Sequence, residues 1–189
     1  AGYTVPVLSD LNSVKWVKGA LDPSFHRYPS TGMTNLAGDG TYIVEIAHTG
    51  NVTDTHLEVV DILPHIGDKA LVTTAHRNSA WSEEISQTII IERISADGTT
   101  TTTVPAGELP LGIRYSTNTN LCHTTAGGDI TADSSQAVDP AGCTNANWNT
   151  TAAGARAFAF RWIPATPFSA GEKLHITVQV GQLNGDRKS

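Results

Sequence analysis

GTYIVEIAHTGNVTDTHLEVVDILPHIGD, residues 40–68, decides the fold class. Its first half alternates with a period of two: Tyr42, Val44, Ile46 and His48 fall on one face and Ile43, Glu45 and Ala47 on the other, the signature of a half-buried strand. Thr49-Gly50-Asn51 reads as a turn, because Gly takes positive φ at no steric cost and Asn tolerates it. The alternation resumes from Leu57 to Ile62, with Leu57, Val59 and Asp61 on one side and Glu58, Val60 and Ile62 on the other. Pro64 removes a backbone donor and ends the pairing. The stretch is therefore expected to be a hairpin of two antiparallel strands.

Working outward, SVKWV (13–17) predicts a first strand with Val14 and Trp16 facing inward, followed by an ordered loop over 18–39 anchored by Phe25, His26 and Tyr28. Downstream, 70–75 predicts a strand and 76–84 a loop that holds Trp81. Residues 85–94, with three successive isoleucines, predict one continuous strand covered on both faces. Asp97-Gly98 marks a hairpin turn and the threonine run 99–103 its returning strand. LGIRYS (111–116) predicts a short strand before the loop between Cys122 and Cys143. In ARAFAFRW (155–162) the alternation sets Phe158, Phe160 and Trp162 against Ala157, Ala159 and Arg161. In LHITVQV (174–180) it points Leu174, Ile176, Val178 and Val180 inward, after a Gly171-Glu172 turn. Strands at this spacing with no amphipathic helix imply an all-β fold, an antiparallel Ig-like β-sandwich with long loops, as a single domain over 1–189.

The chain has 189 residues, 39% hydrophobic and only 16% charged, the balance of an extracellular β protein. A net charge of −6 with scattered Lys and Arg argues against a nucleic-acid partner. No apolar run reaches the roughly 20 residues that span a bilayer, so no membrane insertion is expected. The first residues, AGYTVPVLSD, lack signal-peptide features and a starting Met, the expectation for a mature chain or a piece excised from a larger one.

The residues of the opening stretch also carry a resemblance. Tyr42, Val44 and Ile46, then His48-Thr49-Gly50, then Asp61-Ile62-Leu63-Pro64 resemble a repeat domain of bacterial surface proteins, with His48 where that family has Asn. HIGD (65–68), RNSAW (77–81), YSTNTNLC (115–122) and SAGEKLHITVQV (169–180) resemble the long version of the module in Gram-positive, actinobacterial wall proteins. The resemblance implies an Ig-like stalk or display unit of a cell-wall-anchored adhesin, outside the cell, with neighbouring domains of the same protein as partners. It implies no ligand.

Candidate chemistry is sparse. The seven histidines show no His-x-His or His-Glu-x-x-His spacing, and scattered surface histidines are the expectation. His48, on the face of Tyr42 and Ile46, is expected at the core edge with a backbone partner. There is no Gly-x-Ser-x-Gly elbow, and neither enzyme activity nor a cofactor is expected. Cys122 and Cys143 suit a disulfide that restricts the unfolded chain by on the order of 3 kcal/mol. Asp129, Asp133 and Asp139 within that loop match no calcium-loop spacing and read as solvated acids rather than Ca²⁺ ligands.

An internal amide between a first-strand Lys and a last-strand Asn is a known device of surface-adhesin modules. Lys15 and Lys18 could serve as the amine, but Asn184 lies beyond the last strand and Lys15 alternates outward. Trp16 and Trp162 read as core, whereas Trp81 and Trp148 sit in loops and could contact a ligand. Asn51-Val52-Thr53 and Asn149-Thr150-Thr151 match the glycosylation triplet and read as ordinary turn residues. The expected function is a structural stalk or display module; the alternative is an adhesive head that binds a host glycan or an extracellular-matrix protein, with a metal-dependent enzyme behind both.

Overall fold

The computed structural model describes residues 10–27, 39–66, 82–119, 121 and 147–182. Among them ten strands form two antiparallel sheets. The large sheet contains β1 (Leu11–Gly19), β2 (His26–Arg27), β3 (Gly40–His48), β5 (Glu83–Ile85), β6 (Ile90–Ile94), β7 (Thr101–Thr103) and β10 (Lys173–Gln182). Its order is β2-β1-β3-β10-β6-β7, with β5 also on β10. The small sheet, in the order β4-β9-β8, contains β4 (Leu57–Ile62), β8 (Arg114–Ser116) and β9 (Ala157–Trp162). The helical content of the described residues is one 3₁₀ turn, Ala106–Glu108. The chain thus forms the antiparallel β-sandwich with long loops that the alternation implies.

The facing sides of the two sheets share one core. Tyr42 and Ile46 of β3, Leu174, Ile176 and Val178 of β10, and Phe158, Phe160 and Trp162 of β9 fill it, as alternation predicts. A fully buried aliphatic or aromatic side chain of this kind contributes roughly 1.5–3 kcal/mol. On the outer face of the small sheet a second cluster forms, where Ile62 and Ala157 are covered by Leu121. Ala157 is therefore as buried as Phe158 beside it, and Ala159 is fully buried too.

Three expectations are corrected. Residues 40–68 are not a hairpin, because both edges of β3 are occupied, by β1 and by β10. β4 pairs with β9 in the other sheet, and the link 49–56 crosses between sheets, held where Asp54 bridges Phe168. Second, β1 faces the other way: Lys15 pairs with Val44 and Val17 with Tyr42, so Lys15 and Val17 share the core side while Val14 and Trp16 lie on the outer face. SVKWV alternates equally well in either sense, and pairing with the core-committed β3 decides the matter.

Third, the predicted strand 85–94 is broken. Ile85 pairs with Val180 and Ile90 with Thr177, so the four residues 86–89 stand opposite only two, 178 and 179. Unbroken alternation from Ile85 would drive Gln87 into the core. The two-residue excess turns Ser86 and Gln87 outward while Ile85, Ile89 and Ile91 stay buried. The Ser86 N–H still donates to Gln179 O at 2.9 Å, and the Ile89 N–H donates to the buried Tyr115 hydroxyl at 3.2 Å.

Side chains tie the connections down. Arg93 donates to both carboxylate oxygens of Glu172 (2.9 and 2.6 Å) and to the carbonyls of Thr166 (2.7 Å) and Pro167 (2.9 Å), with its guanidinium 5.6 Å from the Trp162 ring centre. The Trp162 indole N–H donates to Glu108 at 2.7 Å. The β9–β10 connection is thereby fixed to β6 on one side and to the 3₁₀ turn on the other.

Candidate functional site

β1, β3 and β10 end side by side, with Gly19 and Val180 both in register with Gly40. There a cleft of about 610 Å³ opens on the large sheet. Its floor is the last outward row of three adjacent strands: Lys18 and Gln179 both pair with Thr41. The β1–β2 connection supplies one wall with Asp22 and Phe25, and the bulge between β5 and β6 supplies the other with Ser86 and Gln87. Asp39, just before β3, completes the lining.

The first wall is held by its own polar groups. Asp22 is buried and accepts the Gly19 N–H at 2.8 Å, its own N–H donates to Gly19 O at 3.1 Å, and its Oδ1 lies 3.4 Å from His26 Nε2. The Ala20 N–H donates to Asp39 O at 3.2 Å, joining the two lining segments. Phe25 is half-buried, with Lys18 Nζ 6.0 Å from its ring centre. An aromatic plane, an ammonium, two carboxylates and two amides thus converge from separate parts of the chain.

Of the residues singled out in the sequence, Lys18 and the loop anchor Phe25 line this cleft. Trp148 is half-buried against the cluster of Ile62, Leu121 and Ala157, on the outer face of the small sheet. Lys15 Nζ sits 2.9 Å from Asp61 Oδ2 in the opposite sheet and 4.7 Å from the Tyr42 ring centre. The outward Lys15 of the sequence reading is therefore an inward, sheet-spanning one, and Asp61 on the core face of β4 has its partner. Trp81, Cys122, Cys143, the acids of the cysteine loop (Asp129, Asp133, Asp139), the predicted strand 70–75 and Asn184 lie outside the described residues.

His48 is buried, as its alternation predicts, but its ring meets side chains: Nε2 is 3.3 Å from Asp54 Oδ2, and the ring packs edge-on to Phe168 with centres 5.4 Å apart. Asn149, in one of the glycosylation triplets, pairs with Tyr115 through its backbone and accepts the Thr151 N–H on its side chain at 2.7 Å, an Asx turn.

Two carboxylates carry shifted titrations. On the outer face of the large sheet, burial pushes Glu45 up, but hydrogen bonds and charge from His175 (2.7 Å) and Lys173 (3.3 Å) outweigh it and hold the carboxyl below its usual range. In the β6–β7 turn, Asp97 accepts from the Ser95 hydroxyl at 2.6 Å and from the Thr99 N–H and hydroxyl at 3.0 and 2.9 Å, which pull it down to about 2. Burial pushes the Tyr115 hydroxyl up, against the opposing hydrogen bond from the Ile89 N–H. Among the described residues no group of three or more His, Cys, Asp or Glu is placed to hold a metal, and no helix is long and apolar enough to cross a membrane.

No protein-family model matches the sequence, and no curated protein matches it significantly. Among solved structures, the chain is similar to the CBM3a-L domain with flanking linkers from a scaffoldin of the Clostridium thermocellum cellulosome. Identity is 9% and the TM-score 0.37, over 95% of this chain and 71% of that one, a likeness that fixes neither strand order nor a site.

Proposed function

We propose that this chain is a structural display module of a bacterial cell-surface protein, extracellular, without a catalytic step, and joined in line to neighbouring domains of the same wall-anchored chain. The observation that carries this reading is the path of the chain through the large sheet. β1 and β10 are both antiparallel to β3 and so run parallel to each other on its two sides. The described chain enters at Asp10, beside His48, and leaves at Gln182, beyond Gly40, at opposite ends of the same strand. At about 3.3 Å per residue, the nine residues of β3 separate these ends by roughly 30 Å. Domains joined through such ends extend a stalk instead of folding back on one another.

The residues behind the resemblance to surface-protein repeats support the reading in a second way. Tyr42, Ile46, Ile62 and Leu63 are all buried, and the Leu63 N–H donates to Arg156 O at 2.9 Å. The signature marks how such a module folds, in keeping with a unit whose task is to be a stable spacer. Small-angle scattering of two copies joined head to tail tests the proposal. The expected longest dimension exceeds that of one copy by about one strand-length; a folded-back pair, scarcely longer than one copy, contradicts it.

A further inference from the structure

We propose that the cleft over Lys18, Thr41 and Gln179 binds one neutral hexose unit of a glycan. This site is distinct from Trp148 and goes beyond a spacer role. The lining is built of groups that ask for hydroxyls: the amides of Gln87 and Gln179 each donate and accept, Ser86 and Thr41 do both through one oxygen, and the carboxylate of Asp39 accepts. A sugar hydroxyl answers either need, whereas a simple ion answers one. The three floor residues stand on adjacent strands, about 4.8 Å apart, a spacing on the scale of one hexose ring.

Phe25 adds the apolar element that sugar rings require, because one face of a pyranose is a patch of C–H bonds that packs on an aromatic plane. Lys18, held over the same ring, sets a donor beside that plane. The charges narrow the class. Asp22 and Asp39 outnumber Lys18 and oppose a sialic or uronic acid, while the apolar face of Phe25 and the neutral amides and hydroxyls favour a neutral sugar over a cationic peptide. Asp22 acts as a positioning residue, since its hydrogen bond to the Gly19 N–H holds the connection that carries Phe25. The bulge gives the site its second wall: without the excess residues at 86–89, Gln87 would point into the core.

The test is an ¹⁵N–¹H NMR titration of the full chain with methyl glucosides, galactosides and mannosides, and in parallel arms with N-acetylneuraminic acid and with a short oligolysine. The expected result is saturable shifts at the Phe25, Thr41, Gln87 and Gln179 amides with at least one neutral hexoside. Gln87 is exposed, so Gln87→Ala should leave the thermal midpoint unchanged while weakening that binding about tenfold, the effect of one lost hydrogen bond. Four outcomes would each overturn the proposal: no saturable shift with any neutral hexoside, shifts confined to other residues, undiminished binding by Gln87→Ala, or tighter binding of the acid or of the oligolysine.

Discussion

Arg93 is the residue on which the loops converge. Its pair with Glu172 is mostly shielded, with side-chain exposures of 17% and 16%, and the same guanidinium satisfies two carbonyls. Arg93→Ala leaves those two carbonyls without this donor and the Glu172 carboxylate with only the Ser169 N–H and no charged partner, an expected loss of about 2–3 kcal/mol, read from the urea midpoint. Arg161 and Glu58 pair across β9 and β4 with exposures of 30% and 23%, so Arg161→Ala should cost under about 1 kcal/mol. Equal losses would show that the carbonyl contacts of Arg93 contribute nothing.

Two glycines separate strain from crowding. Gly98 and Gly171 both have positive φ, 72° and 86°. A Cβ on Gly98 meets nothing within 4 Å, whereas one on Gly171 lies 3.0 Å from the Ala96 Cβ. Gly98→Ala should therefore cost about 1 kcal/mol and Gly171→Ala about 2–3 kcal/mol, measured in the same urea series. The Asp97-Gly98 turn was legible in sequence because its chemistry is local. The crowding at Gly171 was not, because Ala96 lies 75 positions away in the chain (171 − 96 = 75).

The shifted carboxyls give a pH dependence of known sign. Both Asp97 and Glu45 titrate below their ordinary values in the folded chain, so each stabilises the fold above that value and loses the contribution as pH falls. For Asp97 the window runs from 3.8 down to about 2. Carboxyl ¹³C NMR should place its midpoint near 2; a midpoint at 3.8 would mean that the Ser95 and Thr99 hydrogen bonds do not persist in solution.

At the scale of the element, alternation gave the facing of β9 and β10, whose large apolar groups lie on one side only, and of β3, where Tyr42, Val44 and Ile46 outweigh Ile43; β4 carries apolar groups on both sides, Leu57 and Val59 toward the main core and Ile62 toward the second cluster. β1 escaped, since Val14 and Trp16 compete with Val17 for the core side and a lone Lys15 argues the wrong way until Asp61 appears opposite it. The break before β6 escaped for a related reason: periodicity reports which residues can be buried, and a bulge alters the count without altering the apolar residues themselves. The cleft was the least legible part. Lys18, Gln87 and Gln179 carry no motif, and only the three-strand register and the bulge bring them together. Of its lining, Phe25 stood out as an anchor of a loop expected to be ordered, and Lys18 only as an amine for an internal amide.

Asn184, the candidate amide partner in the sequence, lies outside the described residues, but Lys15 has an acid of the opposite sheet beside it, Asp61. Condensation of the amine with the acid would release one water, and that chemistry needs a dry site. The two side chains are 31% and 22% exposed, so water reaches the pair. An intact mass equal to the calculated chain, apart from hydrogens lost in a disulfide, is expected; a deficit of one water would show an amide between Lys15 and Asp61, and a deficit of one ammonia an amide from a lysine to Asn184.

For the molecule as a whole, β1 and β10 on the two sides of β3 set Asp10 and Gln182, where the described chain enters and leaves, at opposite ends of that strand. Tension between the ends loads β1 against β3 over nine register pairs and β10 against β3 over eight, along the strand direction. Many hydrogen bonds must then yield together, whereas a pull across the strands opens them one at a time. Single-molecule force spectroscopy tests this directly by comparing a chain pulled from its two ends with one pulled across a single register pair of another strand pair. The end-to-end pull should give one cooperative unfolding event at force several-fold higher than the cross-strand extension of the short β6–β7 ribbon, pulled through Glu92 and Thr103. An end-to-end force no higher than that of the ribbon would contradict the in-line stalk.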